Sequence, residues 1–94
     1  MDKKTEDFYK RLKQELIDST TWPSVYLFKF IIPTDPNKII IIEDSFNNMG
    51  AVIQTHKSKN GKYTSVSVNT TMNSAQAVID KYQELSVIEG IISL

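Results

Sequence analysis

Residues 58–69, SKNGKYTSVSVN, carry the clearest structural signal in the chain. Asn60-Gly61 is the strongest short-range signal for a β-hairpin, because both residues readily adopt the backbone angles that tight hairpin turns require. The residues that follow alternate polar with apolar side chains, which is typical of a strand with one buried face. This alternation assigns Val66 and Val68 to the core. The residues left facing outward are Tyr63, Ser65, Ser67 and Asn69.

Three further segments predict strands. AVIQTHK at 51–57 supplies the other strand of the hairpin, and VYLFKFII at 25–32 is rich in the β-branched and aromatic residues that strands favour. Phe28 on this strand should share a face with Tyr26 and Phe30, because successive side chains point to opposite faces. VIEGIISL at 87–94 predicts a short final strand.

Two segments show helical periodicity. Residues 3–17 place apolar side chains four apart among lysines and glutamates, which predicts an N-terminal helix that ends before Trp22-Pro23. AQAVIDKYQEL at 75–85 predicts a second helix, capped by Asn73 or Ser74. Its apolar face consists of Ala75, Val78, Ile79, Tyr82 and Leu85.

The segment TDPNKIIIIEDSF at 34–46 is ambiguous, because four consecutive isoleucines favour a strand by propensity. The start of the segment indicates a helix instead. Thr34 or Asp35 can act as the N-cap, and Pro36 suits the first helical turn. The apolar residues at helical spacing are Ile39, Ile42 and Phe46. We therefore predict a helix.

Without the first helix, the predicted order is strand, helix, strand, strand, helix, strand. This order indicates an α+β, ferredoxin-like βαββαβ sandwich, with a four-stranded antiparallel sheet and two helices on one face. We predict an N-terminal helical extension at 1–21 and a ferredoxin-like domain at 22–94. The other face of the sheet is free for a partner unless the first helix covers it. Leu27 and Ile31 lie on that face and are candidate interface residues.

The composition narrows the classes of function. Eleven basic residues balance eleven acidic ones, so no global field attracts nucleic acid or an anionic membrane. The chain has no cysteine and one histidine, His56, and we expect no metal site and no cofactor. The longest apolar run, at 39–42, is far shorter than the roughly 20 residues that span a bilayer. We expect a cytoplasmic protein with no membrane partner.

Several motifs are similar to those of a known family. The hairpin core S-K-N-G-K-Y-x-S-V-S-V at 58–68, the Y-Q-E-L at 82–85 and Trp22-Pro23 before a Y-x-F-K strand resemble the small bacterial YbeD-like family of domains of unknown function. The resemblance covers about residues 12–94. It implies a ferredoxin-like fold similar to the ACT regulatory domains, which bind amino acids or other small ligands at dimer interfaces. It implies no activity, because fold alone does not determine function.

Among ferredoxin-like folds, the RNA-recognition motif is the sharpest competing interpretation. That motif needs K/R-G-F/Y-G/A-F-V-x-F/Y on the third strand, so that aromatic rings stack on bases. With Gly61 in the glycine position, Lys62 occupies the first aromatic position, and Tyr63 is the single outward ring. The sequence therefore does not favour RNA binding in this mode.

The hairpin is nevertheless the most basic part of the chain. His56, Lys57, Lys59, Lys62 and Tyr63 form a candidate surface for an anion or an acidic partner. Lysines on an exposed strand pair also keep it soluble and discourage edge pairing, which is the simpler explanation.

The turn before the ambiguous helix is the second candidate site. Amino-acid-binding ACT domains carry D-x-P-G there, whereas this chain has PTDPNK at 33–38, with Asn37 in the place of the glycine. Thr34, Asp35, Asn37 and Lys38 are candidate residues for a small carboxylate or phosphate, because free N–H groups at a helix N-terminus attract anions. Helix capping explains the aspartate more simply.

These observations predict a non-catalytic regulatory or interaction module that binds a small ligand or a protein partner. A homodimer through the sheet would use the same free face. The alternative is a nucleic-acid-binding accessory protein that uses the basic hairpin. We do not expect an enzyme, because one histidine on a strand and scattered glycines at 50, 61 and 90 form neither a catalytic triad nor a phosphate-binding loop.

Overall fold

The structure is a computed structural model that describes residues 2–94. Three helices and four strands follow one another along the chain. In order, they are α1 (Lys3–Ser19), β1 (Ser24–Pro33), α2 (Pro36–Ser45), β2 (Val52–Lys57), β3 (Tyr63–Met72), α3 (Ala75–Leu85) and β4 (Ile92–Ser93).

The four strands form one antiparallel sheet in the order β2-β3-β1-β4. Phe28 of β1 lies opposite Val68 of β3, and Ile53 of β2 lies on the other side of Val68. β4 pairs with the free edge of β1, where Ile92 lies opposite Ile31. This order, with one helix in each crossover, is the predicted ferredoxin-like α+β fold.

The core lies between the sheet and the helices α2 and α3. The Phe28 ring lies 5.1 Å from the Phe46 ring, next to the end of α2, and 5.3 Å from the Tyr82 ring on α3, so both helices cover the same face. Val66 and Val68 are fully buried there, as the alternation predicts. The other fully buried large side chains are Phe30, Ile32, Ile42, Thr64, Val78 and Leu85.

The ambiguous isoleucine segment is a helix. The Asp35 side chain accepts a hydrogen bond from the backbone N–H of Asn37 at 2.9 Å, and Pro36 occupies the first position of α2. Ile42 and Phe46 face the core, whereas Ile40 and Ile41 are about half exposed. Capping and the helical spacing of the buried positions thus outweigh the strand propensity of the isoleucines.

The final segment is less regular than predicted, because only Ile92 and Ser93 pair as a strand. A turn at 87–90 comes first, and Gly90 adopts a φ of +80° there. A β-carbon at this position would lie 2.8 Å from Cγ of Pro33, which is closer than ordinary packing allows. A glycine is therefore needed at this position, where the chain passes the end of β1 before Ile92 and Ser93 pair as β4.

Helix α1 packs beside α3 and contributes to the same core. Leu16 is buried, Leu12 is half-buried, and the indole N–H of Trp22 donates to the Leu16 carbonyl at 3.2 Å. α1 leaves Leu27 half exposed on the opposite face of the sheet. The division of the chain at residue 22 stays a prediction.

Candidate interaction surface

The face of the sheet that the helices leave bare is called the open face here. It carries the side chains of the four strands that point away from the helices. They are Val25, Leu27, Lys29, Ile31, Val52, Gln54, His56, Tyr63, Ser65, Ser67, Asn69, Thr71 and Ile92.

Aliphatic side chains lie at both ends of the open face. Leu27 and Val52 flank Asn69 on either side in the strand register, and they are 52% and 61% exposed. At the other end, Ile31 lies directly opposite Ile92, which is 50% exposed. Exposed aliphatic side chains grouped in this way are typical of interaction sites rather than of ordinary surface.

Lys29 lies between the two aliphatic groups. Its neighbour across the sheet is Ser67, and Gln54 follows on β2, so the middle of the open face is polar with one positive charge. The Lys29 side chain forms no ion pair with any residue that the structure describes. It is therefore available to an acidic group from another molecule.

Charge is segregated between the two layers of this neutral chain. The strands and the hairpin loop carry four lysines and no acidic residue. Those lysines are Lys29, Lys57, Lys59 and Lys62. All eleven acidic residues lie in the helices or in the segments next to them. The sheet side is therefore positive and the helical side negative, although the net charge is zero.

The hairpin loop at 58–62 is wider than a two-residue turn. The Ser58 N–H donates to the Tyr63 carbonyl at 2.8 Å, and the Gly61 N–H donates to the Ser58 carbonyl at 2.9 Å. The Asn60 side chain accepts from the Lys62 N–H at 3.0 Å, and Gly61 adopts a φ of +75°. These bonds fix the loop from within, so the lysine side chains of the loop are left exposed.

Only part of the predicted basic surface lies on the open face, at one end of it. His56 and Tyr63 are outward strand residues, and Tyr63 is 48% exposed. Lys57, Lys59 and Lys62 are all exposed around the loop. The structure thus places His56 and Tyr63 at the end of the open face that also holds Ile31, whereas Lys57 lies opposite the buried Thr64 and points to the other face, and Lys59 and Lys62 lie in the loop beyond. Whether they bind anything stays a prediction.

The second predicted site lies where β1 meets α2, and most of its side chains have partners. The Thr34 hydroxyl bonds to the Thr64 hydroxyl at 2.9 Å, and Asp35 caps α2. The Lys38 ammonium donates to the Glu89 carbonyl at 2.8 Å. A ligand at this turn would have to displace bonds that hold the fold together. Asn37 is exposed, and its backbone N–H is the donor to Asp35.

The contact between two tyrosine hydroxyls could not be predicted from the sequence. The Tyr26 and Tyr82 hydroxyls, 56 residues apart in the chain, lie 2.9 Å apart beside a cavity under α1. The periodicity predicts that Tyr26 shares a face with Phe28 and that Tyr82 lies on the apolar face of α3. It does not predict that the two hydroxyls meet, because strand and helix periodicity say nothing about helix placement.

Two further findings concern the whole of residues 2–94. No group of three or more His, Cys, Asp or Glu side chains in this part of the chain could hold a metal ion. None of its helices is both long and apolar enough to cross a membrane.

Comparison with known proteins gives one family. The family model described as "Protein of unknown function (DUF493)" matches residues 18–94. Neither the curated proteins nor the solved structures contain a significant match. The family match spans β1 to β4, including the hairpin and the whole open face. The chain therefore belongs to the DUF493 family, which is the YbeD-like family of domains of unknown function.

Proposed function

We propose that this protein is a cytoplasmic, non-catalytic interaction module that binds an acidic segment of a protein partner on its open face. One observation carries the proposal: the open face combines exposed aliphatic side chains with Lys29 and has no acidic residue, and three further lysines lie on the adjoining hairpin. A neutral chain that segregates its charges in this way presents one positive face.

The aliphatic residues and the lysines have different roles in this proposal. Leu27 and Val52 supply apolar area whose burial would drive association. Lys29 and the hairpin lysines supply long-range attraction that selects an acidic partner and speeds its approach. An acidic segment with aliphatic side chains matches both features.

A second copy of the chain fits the open face less well. Two copies joined face to face would bring Lys29 of each copy into one interface. Like charges in an interface cost free energy, and this cost acts against the homodimer. The acidic partner is therefore the occupant to which we commit.

Nucleic acid also fits the open face less well. Proteins that bind single strands combine positive charge with aromatic rings on which bases stack. Tyr63 and His56 carry the only rings among the open-face residues, and both lie towards the hairpin loop rather than in the centre. Aliphatic side chains occupy the positions where stacking rings would be needed.

A matched pair of variants tests the proposal. Leu27→Glu with Lys29→Glu changes one aliphatic group and the central lysine of the open face. Ile40→Glu with Lys4→Glu makes the same chemical change on the helical side, where Ile40 is 51% exposed and Lys4 is exposed on α1. Both variants and the unmodified protein are immobilised, and the proteins that they capture from the native cell are compared.

We expect an acidic protein to be captured by the unmodified protein and by the helical-side variant, and to be lost from the open-face variant. Raising the salt concentration should release it, since salt screens exposed charges over about 10 Å at 0.1 M. Capture by the open-face variant at an unchanged level would contradict the proposal. Loss after nuclease treatment would replace it with nucleic-acid binding. Dimerisation in light scattering that the open-face variant abolishes would replace it with self-association.

A further inference from the structure

A cavity of about 160 Å³ lies between α1, β1, α3 and the end of the chain, on the side of the sheet away from the open face. Its lining is mostly apolar, with one serine. The lining residues are Phe8, Tyr9, Leu12, Tyr26, Tyr82 and Ser93, with Leu94 at the rim. A cavity of about 150 Å³ lined by apolar side chains is large enough to hold benzene. The space under α1 is therefore large enough for a small ring.

The tyrosine hydroxyls beside this cavity hold one unused donor. The Tyr26 and Tyr82 oxygens lie 2.9 Å apart, so one hydroxyl donates to the other. Each hydroxyl has a single proton, and the bond between them uses one of the two. No other protein group within residues 2–94 bonds to either hydroxyl. One O–H proton of the pair is thus free to donate to a bound molecule.

The two tyrosines are held in place by packing against the core. Tyr82 is only 6% exposed, and its ring lies edge-on to the Phe28 ring at 5.3 Å. Tyr26 lies edge-on to the same ring at 4.8 Å. Burial raises the pKa of Tyr82, so its phenol stays neutral. A neutral, fixed donor in an apolar wall favours an uncharged acceptor over an anion.

We propose that this cavity is a binding site for a small, uncharged, ring-sized apolar molecule that carries one carbonyl or ether oxygen. The oxygen accepts the free proton of the Tyr26–Tyr82 pair. The ring packs against Leu12 and Tyr9, and it also covers Phe8, which is 59% exposed at the rim of the cavity. This site lies on the helical side of the sheet, so it is independent of the partner proposed for the open face.

The test compares two probes that differ in a single carbonyl group. Acetophenone carries the acceptor oxygen, and ethylbenzene is nearly the same shape without it. Each probe is titrated into isotope-labelled protein up to about millimolar concentration, and backbone amide shifts give the dissociation constant. We expect both probes to shift the amides of Tyr9, Leu12 and Ser93, and to leave the hairpin at 58–62 unchanged.

The variants separate the hydrogen bond from the apolar contact. Tyr26→Phe or Tyr82→Phe alone leaves one hydroxyl that can still donate, so neither should remove the preference for the carbonyl. The double variant removes both donors. It should weaken acetophenone binding about fivefold relative to ethylbenzene, which is the effect of one neutral hydrogen bond. If the double variant does not fold, the shift map of the unmodified protein still tests the location of the site.

Three results would overturn this inference. The first is that neither probe shifts any amide at millimolar concentration. The second is that the shifted amides lie away from the cavity. The third is that the double variant keeps the same ratio of the two dissociation constants. A preference for acetophenone over ethylbenzene that is kept in both single variants and lost in the double variant would support donation by the free proton of the tyrosine pair.

Discussion

The two faces of the sheet use neighbouring residues for different purposes. Phe28 is fully buried between the sheet and the helices, whereas Leu27, the residue before it, is 52% exposed on the open face. Val68 and Asn69 differ in the same way on β3. Both faces carry apolar side chains, and only one has helices to cover them. An apolar residue on the covered face stabilises the fold, and one on the open face is available to another molecule.

The largest expected effect is the difference in stability loss between substitutions on the two faces of the sheet. Phe28→Ala should lower the free energy of unfolding by about 3–5 kcal/mol, because it leaves a cavity in the core. Leu27→Ala should lower it by about 0.5 kcal/mol or less, because the side chain is half exposed already. Urea denaturation of both variants measures the difference. Similar losses for the two would mean that the faces are not divided in this way.

A smaller effect tests the N-cap of α2, one of the helices on the covered face. Asp35→Ala should cost about 1 kcal/mol of stability, since the side chain satisfies an N–H at the start of α2. Asp44→Ala is the matched control, because Asp44 is exposed near the end of the same helix. Its effect should stay within about 0.5 kcal/mol in the same denaturation experiment. Equal losses would show that the cap does not determine where α2 begins.

A third effect appears on the covered face at alkaline pH. Burial, followed by the hydrogen bond with Tyr26, raises the pKa of Tyr82, because burial disfavours the charged phenolate and ionisation removes the proton that Tyr82 can donate. A tyrosine in the unfolded chain loses its proton near a pH of about 10, so the stability from Tyr82 is complete below that pH and is lost above it.

Denaturation at several pH values between about 8 and 11 measures this loss. The unmodified protein should lose stability more steeply above a pH of about 10 than Tyr82→Phe, which has no proton to lose. Parallel profiles for the two proteins would show that Tyr82 titrates alike in the folded and unfolded chains.

The smallest effect on stability concerns the hairpin next to the open face. Changing Lys57, Lys59 and Lys62 together to glutamate should alter the free energy of unfolding by about 0.5 kcal/mol or less, because all three are exposed and unpaired. The same change should greatly weaken capture of an acidic partner. The matched control reverses three lysines of α1, namely Lys3, Lys4 and Lys10. Unchanged capture by the hairpin variant would remove the hairpin from the binding surface.

The sequence predicts most of the fold because its local signals agree. Alternation on β3 assigns Val66 and Val68 correctly to the core, and the cap at Asp35 correctly predicts a helix where propensity favours a strand. Asn60-Gly61 correctly predicts a hairpin, although the loop at 58–62 is wider than two residues. Ser58 and Asn60 account for the wider loop, because their side chains bond to its backbone.

The sequence does not predict contacts that depend on how elements pack. The amphipathic stripe of α1 is consistent with a position on either face of the sheet, and the structure places α1 beside α3. The turn at 87–90 shortens β4, because Gly90 must pass close to Pro33, and this contact joins residues far apart in the chain. The charge segregation is partly visible in the sequence, since no acidic residue lies between Asp44 and Asp80, and the fold adds Lys29 by pairing β1 with β3.

Chemical footprinting of lysines tests the central claim most directly. The ten lysines are divided between the two sides of one molecule, with Lys29, Lys57, Lys59 and Lys62 on the sheet side. An amine-reactive reagent is applied to the free protein and to its captured complex, and mass spectrometry gives the modification of each lysine. We predict protection of those four lysines in the complex and unchanged modification of the lysines of α1. Protection of the α1 lysines with the sheet-side lysines still reactive would contradict the account.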